Sequence, residues 1–212
     1  LAYRLAIFDF DGTLADSMGW TRSVMNAVAE RYGFKRLSDE EFTMLRGWDS
    51  RTVIRYLGVP LWKIPAIASH VRKLVRRDAE AIPLFDGAAE LLLRLSSNGI
   101  ILAIVSSNAE DNIRRILGRE SAGLIRYYEC GASIFGKAAR LRRVVMQSGA
   151  SPEEVICIGD EVRDIDAAAS QGLAAGAVTW GYATAGRLRA CRPTMMFESM
   201  DDISAALVYA AR

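Results

Sequence analysis

Histidine is almost missing from this 212-residue chain. His70 is the only one, so a histidine-rich metal site is excluded, and its place beside Ile67 and Leu74 on a helical stripe predicts a packed position. Cysteine is also scarce. Cys130, Cys157 and Cys191 lie far apart with no CxxC pair, which excludes a disulfide scaffold and fits a reducing compartment. No apolar run approaches the roughly 18 residues of a spanning helix, and nothing resembles a secretory signal, so the expected compartment is the cytoplasm. An excess of one charge sign is lacking as well. With 27 Lys plus Arg against 25 Asp plus Glu, the net charge is only +2. That balance gives no electrostatic reason to expect nucleic acid or a membrane surface as partner. The arginines from Arg72 to Arg77 and from Arg140 to Arg143 read as solvated helix faces.

What is present is the make-up of an ordered globular protein, 51% hydrophobic and 25% charged. Short apolar runs at Leu5 to Phe10, Ile101 to Ser106, Val155 to Gly159 and Ala174 to Val178 are too short for average helices and read as buried strands. Helical patterns separate them, over Glu90 to Leu95, after Asn108 as a cap with Asp111, over Lys137 to Gln147, and over Ile165 to Ser170. Strands alternating with helices predict an α/β fold, a Rossmann-like parallel sheet covered on both faces. Residues 15–82 break the rhythm. They contain no strand run but carry a helical face from Trp20 to Tyr32, a capping box at Ser38 and Glu41, and a long helix opened by Pro65. The expected organisation is a core of residues 1–14 and 83–212 with a helical domain, 15–82, inserted after the first strand.

Chemistry concentrates at the strand ends. Asp9 and Asp11 in DFDGT follow the first strand, where open α/β sheets bind ligands, with Gly12 permitting a tight turn. Two close acids repel and call for a cation. Asp160, Glu161 and Asp164 follow another strand and offer hard oxygen ligands suited to Mg2+. Ser106 and Asn108 stand where a hydroxyl and helix amides can cradle phosphate, although either residue can also serve only as a cap. Lys137 supplies a cation at a helix start. Trp20, Trp48 and the run Met195 to Phe197 read as packing residues, and Trp180–Gly181 as a loop bordering the site.

This set resembles the haloacid dehalogenase-like phosphatase superfamily: DxDGT at Asp9 to Thr13, a serine at Ser106, the lysine at Lys137 and GDxxxD at Asp160 and Asp164. The helical insertion resembles the alpha-helical cap of the phosphoglycolate phosphatase-like subgroup. The resemblance implies a Mg2+-dependent phosphatase in which Asp9 forms an aspartyl-phosphate and binds the metal. Asp11 acts as acid and base and offers its carbonyl to the metal, and Asp160 is a ligand. Thr13, Ser106 and Asn108 bind the phosphoryl group, and Lys137 neutralises charge. Asp164 either binds Mg2+ or orients Lys137. In the cap, Arg46, Gly47, Ser50 and Arg51 are candidates for reading the leaving group. The implied partner is a small phosphorylated metabolite, and the chain is expected to be a monomer or homodimer. A sugar-phosphate phosphotransferase or mutase, or a non-catalytic binding module on the same fold, are the alternatives. One departure bears on substrate: many capped relatives are proline-rich after the lysine, whereas KAARLRRVV here predicts uninterrupted helix.

Overall fold

The computed structural model describes residues 3–46, 48–131 and 136–209. Six short strands form one sheet: β1 (Leu5–Phe8), β2 (Ile101–Val105), β3 (Ile125–Glu129), β4 (Val155–Gly159), β5 (Ala174–Val178) and β6 (Met195–Phe197). All neighbours are parallel, in the order β3-β2-β1-β4-β5-β6. The chain moves outward from β1 to β3, then crosses back to β4 on the other side of β1. That reversal opens a crevice at the carboxyl ends of β1 and β4. Their register pairs Phe8 with Ile158, so Asp9 and Asp160 emerge from adjacent strands.

The first strand is shorter than its apolar run. It ends at Phe8 because the Phe10 carbonyl accepts the amides of Thr13, Leu14 and Ala15, which folds the chain into a turn around Gly12. Strand β6, over the run Met195–Phe197 read as packing, was not expected, and neither was strand β3. Its sequence, IRYYE, is half-polar because it lies at a sheet edge, where only Ile125 is buried.

Between β1 and β2 run α1 (Met18–Tyr32), α2 (Asp39–Leu45), α3 (Ser50–Tyr56), α4 (Ile64–Asp78) and α5 (Ala88–Ser97). The capping box at Ser38 and Glu41 forms with both bonds, and Pro65 sits in the first turn of α4, where its missing N–H costs nothing. No strand occurs among the described residues from 16 to 82. Leu37, Leu45 and Leu57 bury one another with Phe34, Phe42, Trp48 and Tyr56, giving this segment an apolar cluster of its own.

The remaining helices are α6 (Glu110–Leu124), α7 (Lys137–Ser148), α8 (Val162–Ser170), α9 (Ala185–Ala190) and α10 (Met200–Ser204). Alternation along β1 sends Ala6 and Phe8 to a face covered by Leu92 and Leu95 of α5, Ile113 of α6 and Ile203 of α10. Leu5 and Ile7 face Leu141 and Val144 of α7, Ile165 of α8 and Leu188 of α9. Burying each such side chain contributes roughly 1.5–3 kcal/mol, which is why β1 is apolar on both faces up to its last residue. Helix α7 runs unbroken from Lys137, as KAARLRRVV predicts. Among the described residues no helix is long and apolar enough to cross a membrane.

Candidate active site

Lys137 is the first residue of α7, and its Nζ reaches across the crevice to Asp9 Oδ2 at 3.0 Å and Asp164 Oδ1 at 2.6 Å. Both acids are buried, so the three side chains form an ion triad largely shielded from water. Burial pushes the Asp9 carboxyl up to about 6, even though Lys137 pulls it down. At Asp164 burial pushes the same way, but Lys137 and then Arg163 outweigh it and hold this carboxyl below its usual range. The second oxygen of Asp164 accepts the Glu161 amide at 2.9 Å, closing a capping box at the start of α8. Asp164 therefore caps its helix and holds Lys137 at once.

Asp160 is fully buried. Its Oδ1 accepts the Thr13 hydroxyl at 2.9 Å and its Oδ2 the Tyr182 amide at 2.7 Å. Burial raises its pKa well above the usual range, and the charges of Glu161, Asp164 and Asp9 add to the effect. Oxygens of Asp9, Asp160 and Asp164 lie within 4.8 Å of one another, an all-oxygen set that suits a hard divalent cation. The backbone is cleared around this set. A Cβ on Gly12, whose φ is +81°, would stand 2.3 Å from Asp160 Oδ2, and one on Gly181 would stand 2.2 Å from Asp160 Cβ. Only glycine fits at either place.

Asp11 meets different company. Its Oδ2 accepts the Asn108 side-chain amide at 3.1 Å. Burial raises its pKa, while hydrogen bonds from Ser17 and Asn108 oppose the rise. Ser106, buried at the end of β2, accepts the Asn108 amide on its hydroxyl at 3.1 Å. Asn108 is not the cap of α6. That position is Ala109, whose amide donates to Asn108 Oδ1 at 2.8 Å, while the Asn108 NH2 is drawn to the carboxylate of Asp11. The structure thus gathers Asp9, Thr13, Lys137, Asp160 and Asp164 into one network, and Asp11, Ser106 and Asn108 into another beside it.

The helical candidates lie at the rim and are engaged with the protein. Arg46 donates from Nη2 to the Gly181 carbonyl at 2.9 Å and from Nε to that of Tyr182 at 3.3 Å. Ser50 donates to Glu161 Oε2 at 3.0 Å. The backbone amide of Arg51 donates to its cap, Asp49, and Gly47 lies outside the described residues. His70 packs at a tilt on Tyr32, Trp20 donates to Asp78, and Trp48 abuts Tyr56, in keeping with packing roles.

Two residues escaped the sequence reading. Tyr182 joins three elements: its amide binds Asp160, and its hydroxyl meets Ser17 and Thr21 of the α1 start. An aromatic residue straight after Gly181, in the loop that follows β5, was the available signal. Arg163 pairs with Glu161, and its Nε is buried without a hydrogen-bond partner. An arginine enclosed between the acids of GDEVRD was its signal.

A family model described as haloacid dehalogenase-like hydrolase matches residues 6–178. The chain belongs to the haloacid dehalogenase-like hydrolase family. It is therefore an enzyme of the hydrolase class, and every residue of both networks falls inside the matched span. A phosphoglycolate phosphatase of Synechococcus elongatus is 35% identical over 207 residues, covering 97% of this chain and 98% of the relative. The tyrosine-protein kinase PtkA of Mycobacterium tuberculosis is 31% identical over 188 residues, with 86% of this chain and 64% of that protein covered. A haloacid dehalogenase-like hydrolase structure from Streptococcus pneumoniae superposes with a TM-score of 0.78 at 19% identity, over 96% of this chain and 98% of that one; this shows the shared fold.

Proposed function

We propose that this enzyme is a phosphatase that hydrolyses a small phosphate monoester of the phosphoglycolate type. The carrying observation is the buried Asp9–Lys137–Asp164 triad with Asp160 beside it, at the adjoining carboxyl ends of β1 and β4. The full-length similarity to a phosphoglycolate phosphatase supports the substrate class. In this reading Asp9 attacks phosphorus and becomes an aspartyl-phosphate. Lys137 shields the nucleophile's charge and the equatorial oxygens, and Ser106 donates to the phosphoryl group, joined by Thr13 when its hydroxyl turns from Asp160. Asp11, with its pKa raised by burial, protonates the leaving oxygen and then takes a proton from the water that cleaves the acyl phosphate.

The donor set fits Mg2+: three buried carboxylates with their oxygens close together, two of them driven toward protonation by burial and mutual repulsion. Asp9, Asp160 and the Asp11 carbonyl would hold the ion. Asp164, which holds the Lys137 ammonium on Oδ1 at 2.6 Å and caps α8 with Oδ2, orients Lys137 beside it. When bound, the cation would neutralise phosphate charge. Residues 15–82 serve as the cap that covers this site, a division supported by their separate apolar cluster. Three free cysteines, with the buried Cys157 thiol pushed up to about 12 by burial, accord with a cytoplasmic setting.

Phosphate release measured with Mg2+ across two- and three-carbon phosphorylated acids, sugar phosphates, nucleotides and pyrophosphate tests the reading. Release from the small acids, abolished in D9N, is expected. Undiminished turnover by D9N would sink the assigned nucleophile. The relative named as a tyrosine-protein kinase favours one second reading, phosphoryl transfer to an acceptor other than water. Label from a phosphoryl donor retained on the acceptor, with little free phosphate, would establish it.

A further inference from the structure

Arg46 and Ser50, on either side of the corner between α2 and α3, touch the loop that follows β5 and the turn between β4 and α8. Two hydrogen-bond paths run inward. On the first, the Arg46 guanidinium holds the carbonyls of Gly181 and Tyr182, and the Arg46 carbonyl accepts the Thr184 amide at 3.2 Å. The segment so gripped gives the Tyr182 amide to Asp160 Oδ2 and the Ala183 amide to the Asp160 carbonyl. On the second, the Ser50 hydroxyl holds Glu161 Oε2 while Arg163 holds Glu161 Oε1. The amide of Glu161 fixes Asp164 Oδ2, whose other oxygen binds Lys137 and, through it, Asp9.

We propose that Arg46 and Ser50 are positioning residues for the acidic side of the site rather than contacts for the leaving group. Arg46 acts through residues 181–184 on Asp160, and Ser50 acts through Glu161 on Asp164. The donors that hold these residues in place point at the protein: Nε and Nη2 of Arg46 at main-chain carbonyls, and the one hydroxyl proton of Ser50 at a carboxylate. Close packing makes the transmission stiff, because Gly181 leaves Asp160 no room to follow a displaced loop except by moving with it. The helical segment therefore completes the carboxylate geometry when it docks on the sheet. By reciprocity, a cation bound to the acids tightens that docking. The inference rests on the proposed role of these acids in holding a divalent cation.

The test measures Mg2+ affinity of the full chain by calorimetry without substrate, for wild type, R46A, R46K, S50A and S50T, alongside kcat and KM on two phosphate esters with leaving groups of different size. R46A is expected to weaken Mg2+ binding about 10-fold and S50A by a smaller factor, with S50T restoring it and R46K recovering part, as for residues that orient ligands. Both esters should lose turnover equally at limiting Mg2+, and KM at saturating Mg2+ should stay within about 2-fold. Should R46A fail to fold, S50A against S50T carries the same comparison. Unchanged Mg2+ affinity with KM raised for one ester alone would overturn the proposal and make these residues leaving-group readers; a wild-type chain without Mg2+ affinity would overturn it too. A wild type that binds Mg2+ yet releases no phosphate from any ester would sink the proposed reaction while leaving this inference standing.

Discussion

Asp9→Asn removes one negative charge from a side chain that is 4% exposed while keeping its size and shape. Without metal, burial lifts the Asp9 carboxyl from its ordinary 3.8 to about 6 against the pull of Lys137. A folded-state value above the unfolded one means that the native protein holds the proton more tightly. Its stability is then highest below about pH 4, falls as pH rises through the window from about 4 to about 6, and levels off above it. At ~1.4 kcal/mol per pH unit across that window, ionising Asp9 costs ~3 kcal/mol at neutral pH. Asparagine mimics the protonated acid at every pH and escapes the cost, while Lys137 keeps Asp164 as partner. For a chain of this length the gain corresponds to roughly 6–12 °C in Tm. The assay is thermal unfolding of wild type and D9N in chelator at pH 8 and pH 4, with phosphate release followed in parallel. D9N should melt well above wild type at pH 8, the gap should close toward pH 4, and the variant should be inactive throughout. Mg2+ should narrow the gap at pH 8 by compensating the carboxylate that only wild type carries. A D9N protein no more stable than wild type at pH 8 in chelator would refute the burial account of Asp9.

Lys137→Met leaves two buried carboxylates without their shared cation; a destabilisation of about 3–5 kcal/mol in denaturant titrations and a fall in kcat of about 100-fold or more are expected. Because Lys137 lowers the Asp9 pKa, whatever activity survives should need a higher pH than wild type. Asn108→Ala deletes a hydrogen bond that lowers the Asp11 pKa, so the pH–kcat profile should shift to the alkaline side, and an unmoved profile would separate Asn108 from Asp11. Gly181→Ala forces a methyl group to 2.2 Å from Asp160 Cβ; Mg2+ affinity should collapse while unfolding shows a loss of only about 1–3 kcal/mol.

Four of the six strands were legible as short apolar runs, a pattern that burial on both faces demands, whereas Met195–Phe197, read as packing residues, gave no strand signal for β6. β3 stayed hidden for the same reason in reverse: an edge strand carries Arg126 and Glu129, and the periodicity of IRYYE resembles no buried run. The residues that meet in the crevice could be listed because Asp9, Ser106 and Asp160 directly follow apolar runs and Lys137 opens a helical pattern. The pairings of Asn108, Arg46 and Ser50 could not. That Asn108 turns to Asp11 instead of capping α6 depends on the pairing of β1 with β2, and that Arg46 and Ser50 grip residues some 110 to 140 positions downstream depends on how the helical segment sits on the sheet. No local propensity encodes that contact.

The turn at Gly12 separates the surroundings of the DFDGT acids. Had the chain stayed extended past Phe8, Asp9 and Asp11 would project to the same side about 6–7 Å apart and compete for Lys137. Instead the Phe10 carbonyl gathers three amides and the chain folds back, so that Asp9 Oδ2 keeps Lys137 while Asp11 Oδ2 turns to Asn108. An ion-paired carboxylate is suited to attack, and one bound to a neutral amide is suited to exchanging protons. In the proposed reaction the same strand end therefore supplies both, and the separation rests on a turn at which the backbone is left-handed and a side chain would strike Asp160. Gly12→Ala should for this reason abolish turnover more completely than Asn108→Ala, although neither residue carries a reacting group, because it merges the two surroundings instead of weakening one. A Gly12→Ala enzyme retaining more than about a tenth of wild-type kcat would show that the turn does not partition the two acids.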